Sequence, residues 1–320
     1  MSSPAVPQPL AATLRFNGPV SIVPARRIET PDGRTVTAVE TGVRDGSATL
    51  VFHPTPSSCL FVRQHADAAL RSGVRLVGFS RPGSGGSTMT SPGLRVVAED
   101  AVRVADAYGL DRFAVLGFSG GTPFAGATAA LFPDRVRALG LCAAVAPWRE
   151  VAERGVEYDD TLAALLAGAG QDPDAALEAL RARHRQELAP LLALDDDQLA
   201  RRIVADTDPA DREFLTAELA MGQAVTLRDA VCDEEGDPVC DSPAFDHLAF
   251  GTPWDVDIGA VRAPTWIWQG TSDPVTPVAH GQWWADRVPN ARLVPRRGHG
   301  HLGAFEGYRD EMLVTLRDAG

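Results

Sequence analysis

The sequence predicts an α/β fold: a mostly parallel central sheet flanked by helices, with a helical segment inserted after the sixth strand. Three observations predict it. Short apolar or β-branched runs alternate with helical stretches from about residue 26 to 146. The alternation stops after Pro147 and gives way to charged helical sequence, without a convincing strand, to about residue 250. Strand signal then returns at Thr265. Strands separated by helices pair in parallel rather than as hairpins, and a parallel sheet needs apolar cover on both faces.

Taken in order, residues 34–40 (RTVTAVE) alternate as a half-buried strand does, and 48–52 form a short apolar run ending at His53. Residues 74–79 form another and end in a glycine-rich loop. Residues 98–108 carry apolar side chains at helical spacing, closed by Gly109. Residues 113–116 read as a buried strand, followed at once by Gly117 and a helix of small residues; 136–146 is a further apolar run. Helices are expected over 174–188 and 196–203, strands over 265–268 and 292–295, and helices over 278–288 and 303–319. The division that follows is a core of residues 1–147 and 255–320 around an insertion of residues 148–254. The proline-rich first ten residues read as a loose tail.

Composition narrows the function. The chain has 320 residues, 45% of them hydrophobic, enough for a large core. A formal net charge of −12 opposes binding to nucleic acid or an anionic membrane through a general positive field. All 30 basic residues are arginine, so lysine-anchored pyridoxal phosphate is excluded. Residues 1–18 show no basic segment leading into an apolar stretch, and no window is long and apolar enough to span a membrane, so cytoplasmic residence is expected. Of the four cysteines, Cys59 and Cys142 sit in apolar runs and read as buried thiols. Cys232 and Cys240 flank a turn-rich stretch, where free thiols are favoured over a disulfide and a disulfide over a metal site. No metal or organic cofactor is expected.

The strongest chemical signal is Gly117-Phe118-Ser119-Gly120-Gly121, a G-x-S-x-G sequence between a predicted strand and a predicted helix. A serine on such a turn is pushed toward the cleft, and the helix that follows points N–H groups at the site. A serine hydroxyl needs a base. Among seven histidines, His301 in Gly298-His299-Gly300-His301 is the first candidate and His299 its rival, with His53, His247 and His280 also in reach. His65 and His184 lie in polar helical stretches and read as solvated. Asp273, directly after the 265–268 strand, is the candidate acid that orients the imidazole.

These residues resemble the α/β-hydrolase superfamily over nearly the whole chain. Residues 53–58 (HPTPSS) look like its H-G-x-P oxyanion loop, 80–87 (SRPGSGGS) like D-x-R-G-x-G-x-S, 269–277 (QGTSDPVTP) like the acid loop, and 298–301 like the closing G-x-G-H. The last favours His301 over His299. The resemblance implies backbone amides of Thr55 and Gly120 as oxyanion donors, and residues 148–254 as a helical cap. Pro54 departs from the usual glycine and Ser80 from the usual aspartate. A serine at 119 disfavours the carboxylate nucleophile of epoxide hydrolases and haloalkane dehalogenases.

The expected reaction is acyl transfer to water on a small organic ester or amide, in the manner of a carboxylesterase. Two alternatives stay open: an aminopeptidase resembling proline iminopeptidases, and a non-hydrolytic protein on the same fold, either a lyase, cyclase or perhydrolase or a binding protein with an idle triad. For the former, Asp159, Asp160, Asp233, Glu234, Glu235 and Asp237 would grip a substrate amine, although solvation is the favoured reading of those charges. His53, Phe118, Trp148, Trp254 and His299 are candidate pocket residues, and Tyr158, Phe214, Phe245 and Phe250 are further aromatics of the insertion. Trp283 and Trp284, adjacent on a helix, cannot face the same way.

Overall fold

A computed structural model describes residues 25–157 and 160–319, so the first ten residues, Tyr158 and Asp159 lie outside it. The strands are β1 (Arg26–Glu29), β2 (Thr35–Gly42), β3 (Ser47–Phe52), β4 (Val74–Phe79), β5 (Phe113–Phe118), β6 (Val136–Cys142), β7 (Thr265–Gly270) and β8 (Ala291–Arg296). They form one sheet in the order β1-β2-β4-β3-β5-β6-β7-β8. The β1–β2 and β2–β4 pairs are antiparallel and every other pair is parallel.

The period of two along each strand sorts its side chains between two cores. Leu50, Phe52, Phe79, Phe113, Val115, Leu139 and Ile267 enter one, with helices α2 (Leu94–Ala107), α3 (Thr122–Leu131) and α10 (Val278–Arg287). Val51, Leu76, Ala114, Leu116, Cys142 and Trp268 enter the other, with α1 (Ala66–Ser72), α11 (Gly303–Glu306) and α12 (Arg309–Asp318). Each large apolar side chain buried this way contributes roughly 1.5–3 kcal/mol before entropy is charged against it.

Three expectations need adjustment. The apolar run 136–146 is a strand only to Cys142. Ala143 N still donates to Trp268 O, and from there side chains replace the ladder: Ala144 N donates to Gln269 Oε1, Val145 N to Thr122 Oγ1 and Ala146 N to His280 Nδ1. The single helix expected over 303–319 is broken between Glu306 and Arg309 into α11 and α12. Strand β1 was not foreseen, because an edge strand that is almost wholly exposed carries no apolar alternation.

Between β6 and β7 the described residues hold six α-helices and no strand: α4 (Trp148–Ala152), α5 (Asp160–Gly168), α6 (Pro173–Leu192), α7 (Asp196–Asp206), α8 (Ala217–Val231) and α9 (Asp241–Gly251). Local signals set their ends. Asp172 caps α6 ahead of Pro173, and Asp195 with Gln198 forms a reciprocal capping box on α7. Small apolar clusters of their own hold these helices together. Cys232 and Cys240 are free thiols. Among the described residues no helix is long and apolar enough to cross a membrane, and no group of three His, Cys, Asp or Glu could hold a metal ion.

Candidate active site

Strands β3 and β5 are neighbours from which the chain departs in opposite directions, toward β4 on one side and β6 on the other. The carboxyl ends of such a pair flank a crevice, where parallel α/β sheets take up ligands. Thr55 follows β3 at this point and Ser119 follows β5.

Ser119 opens a short 3₁₀ turn, Ser119–Gly121, between β5 and α3. Its φ is +51°, a left-handed conformation that costs a non-glycine residue roughly 1–3 kcal/mol and persists only where its surroundings impose it. The surroundings do impose it. Thr122 Oγ1 donates to Ser119 O at 2.7 Å. A methyl group at Gly121 would lie 2.7 Å from His53 O, and one at Gly120 would lie 2.8 Å from Thr55 Cβ and 3.2 Å from Phe250 Cζ. Glycine at both positions lets the turn sit directly on the segment that follows β3.

His301 lies between Ser119 and Asp273. Its Nε2 is 2.9 Å from Ser119 Oγ and its Nδ1 is 2.8 Å from Asp273 Oδ2. Asp273 also accepts from Val275 N at 2.8 Å, Thr276 N at 2.9 Å and Thr276 Oγ1 at 2.8 Å. Burial pushes this carboxyl up, but the hydrogen bond and charge of His301 and the Thr276 donors outweigh burial and hold it below its ordinary value. An ionised Asp273 accepts from Nδ1–H, which leaves the Nε2 lone pair facing the serine hydroxyl. Below His301, Phe118 is buried, tilted against the imidazole at 5.3 Å and stacked on Phe305 at 4.5 Å.

The other histidines are engaged elsewhere. His53 is buried, its Nδ1 donating to Pro54 O at 2.8 Å and its Nε2 accepting from Arg81 N at 3.3 Å. Burial, then the Arg81 charge, drives it well below the usual imidazole range. His280 accepts from Ala146 N, and burial brings it to about 4. His299 Nε2 lies 2.8 Å from Tyr308 Oη, with Phe214 against its ring.

His65 and His184 are not solvated as expected; they are 4% and 6% exposed. His65 packs between Phe61 and Phe305, and burial followed by the Arg309 charge brings it to about 3. His184 stacks on His247 with Nε2 and Nδ1 2.7 Å apart. Polar neighbours in sequence misled because tertiary contacts, not the flanking residues, cover these rings.

Thr55 and Gly120 stand side by side at the serine. Among the described residues the Thr55 N–H has no acceptor. Pro54 has no N–H, and its carbonyl accepts from His53 Nδ1 and from Arg81 Nη2 at 3.2 Å. Ser80 makes a neutral substitute for a carboxylate, its hydroxyl accepting from Cys59 N at 2.9 Å. Sequence reading missed Asp211, which is buried and accepts from Leu302 N and Gly303 N at 2.8 Å each, gripping the chain just after His301. It also missed Asp246 of α9, which bonds the Thr55 hydroxyl. Neither carries a local motif that would have singled it out.

Trp148 and Trp254 line a cavity of about 540 Å³ together with Phe250, Trp283 and Arg287; a second, of about 550 Å³, adjoins Leu248 and Thr252. Neither lining includes Ser119, Asp273 or His301. Trp283 and Trp284 diverge, their planes 81° apart, yet both are buried. Asp233, Glu234, Glu235 and Asp237 are all exposed in one turn.

The sequence profile of the alpha/beta hydrolase fold matches residues 50–308. No curated protein matches the chain in sequence. Among solved structures, the chain is similar to a hydrolase from Pseudomonas aeruginosa PA01 (20% identity, 93% of this chain and 99% of that one, TM-score 0.59). It is also similar to an esterase from Rhodococcus sp. (20% identity, 91% and 99%, TM-score 0.58). An epoxide hydrolase from Vigna radiata superposes at a TM-score of 0.64 with 16% identity over 92% and 95% of the two chains.

Proposed function

The chain belongs to the α/β-hydrolase family, and from that premise we propose that it is a serine hydrolase cleaving an ester or amide bond of a small organic substrate through an acyl-enzyme. The observation that carries the reading is the unbroken hydrogen-bonded series from Ser119 Oγ through His301 to Asp273. A hydroxyl, a neutral imidazole nitrogen and a carboxylate held ionised by four donors are the parts that nucleophilic acyl transfer requires.

In this reading Ser119 Oγ attacks the substrate carbonyl as His301 Nε2 takes its proton. The Thr55 and Gly120 amides receive the developing oxyanion. His301 returns the proton to the leaving group, then activates water to release the acid. Asp273 holds the imidazole and stabilises its charged form. Epoxide opening by an attacking carboxylate is not proposed, because position 119 is serine. We read residues 148–254 as a cap: Phe250 abuts Gly120, Asp246 bonds Thr55 and Asp211 bonds the residues after His301. The exposed carboxylates at 233–237 offer no enclosed amine site, and we assign them no role in binding.

Hydrolysis of p-nitrophenyl butyrate tests the proposal. Wild-type protein is expected to turn it over, and Ser119→Ala to lose roughly 10⁴-fold or more of that rate. A folded Ser119→Ala variant with wild-type turnover would sink it.

A further inference from the structure

A buried ion pair ties the cap helix α9 to the loop that carries Thr55. Arg81 and Asp246 are both 0% exposed and come from segments 165 residues apart. Arg81 Nε lies 2.9 Å from Asp246 Oδ1 and Nη2 lies 2.5 Å from Oδ2. The outer guanidinium edge faces the loop: Nη1 donates to His53 O at 2.6 Å, and Nη2 to Pro54 O at 3.2 Å and Thr55 Oγ1 at 3.0 Å. The Thr55 hydroxyl donates in turn to Asp246 Oδ2. The Phe124 ring supports the guanidinium at 5.0 Å.

Stability alone does not call for this arrangement. Desolvating two charges costs several kcal/mol each, and apolar residues of similar volume often serve a core as well or better. Geometry supplies another demand. The Pro54 carbonyl and the Thr55 N–H belong to one planar peptide group, so fixing the carbonyl fixes the direction of the N–H. Two donors, Arg81 Nη2 and His53 Nδ1, hold that carbonyl. They also polarise the peptide, which strengthens its N–H as a donor.

We propose that Asp246, acting through Arg81, is a positioning residue that orients and polarises the 54–55 peptide for oxyanion binding. The helical insertion thereby supplies part of the reaction machinery in addition to a wall of the site. Asp246 and Phe250 stand one helical turn apart on α9, so a single helix reaches both sides of the oxyanion position: the Thr55 loop and Gly120. This inference rests on the Ser119 hydrolase reading.

The test compares wild type, Asp246→Asn and the double variant Arg81→Met/Asp246→Leu by thermal melting, p-nitrophenyl butyrate kinetics and the rate of fluorophosphonate labelling at Ser119. The double variant removes both charges together, so no lone buried charge confuses the outcome. Because it also leaves the His53 and Pro54 carbonyls without their Arg81 donor, it is expected to fold but to melt up to about 10 °C lower. Its kcat and labelling rate should fall about 100-fold or more, the scale of a lost oxyanion donor, with KM changing less than about threefold. Asp246→Asn should fall in the same way. A folded double variant with kcat within a few-fold of wild type overturns the proposal, as does one that cannot fold, which would assign the pair to core stability. Wild-type Ser119 that resists labelling would instead bring down the hydrolase reading, and this inference with it.

Discussion

Glu306 Oε1 and His65 Nε2 face each other at 3.9 Å inside the core, with Arg309 against the carboxylate. Burial pushes Glu306 up to about 7 against the pull of Arg309. The fold therefore favours the protonated acid. Its stabilising share is complete below the unfolded value near 4.5 and is lost as pH rises to about 7. His65 has the opposite sign: held neutral in the fold, it costs stability as pH falls below 6.5 toward about 3. Glu306→Gln is expected to raise stability at pH 8 by roughly 1–3 kcal/mol relative to wild type, with little difference near pH 4. Denaturant titrations at the two pH values check this; equal effects at both would show that the carboxyl does not titrate in this window.

The close seating of the Ser119 turn predicts a sharp contrast between two glycines. A methyl at Gly121 meets the backbone carbonyls of Phe52 and His53, which cannot yield without bending β3. Gly121→Ala should cost about 2–4 kcal/mol and slow labelling of Ser119. At Gly168, on α5, an added methyl meets nothing within 4 Å. Gly168→Ala should be neutral or stabilise by about 0.5–1 kcal/mol. Thermal melts of the two variants decide.

Asp211 grips two successive N–H groups directly after His301 and is 3% exposed. Asp211→Ala leaves both amides unpaired, and hydrogen bonds to a charged acceptor are worth roughly 1.5–3 kcal/mol each. The variant should lose about 3–6 kcal/mol of stability and at least about tenfold in kcat, through a loosened His301. Activity unchanged in a destabilised but folded variant would separate the grip on the loop from the chemistry.

Much of this is legible in the sequence alone. The run 74–79 matches β4 at both ends, because a strand buried on both faces is written as a mostly apolar run, here interrupted by the half-buried Arg75, between a glycine and a loop. Ser119, Asp273 and His301 each follow a strand, in that chain order, and the structure brings them within hydrogen-bond distance. Strand β1 was silent, since exposed edge residues need no pattern. The Arg81–Asp246 pair was silent for a different reason: nothing local distinguishes a buried arginine from a solvated one, and its partner lies 165 residues away. His65 and His184 were misread on the same ground. Pairing across the fold decides which polar residues are interior, and a single sequence records period and turn chemistry but not such contacts.

Locating a fluorophosphonate adduct by peptide mass spectrometry shows whether Ser119 is an activated nucleophile. Modification at Ser119 in the wild-type protein, and its loss in His301→Ala, is the expected result. An unmodified Ser119 in folded protein, or equal labelling with and without His301, would contradict an activated serine nucleophile.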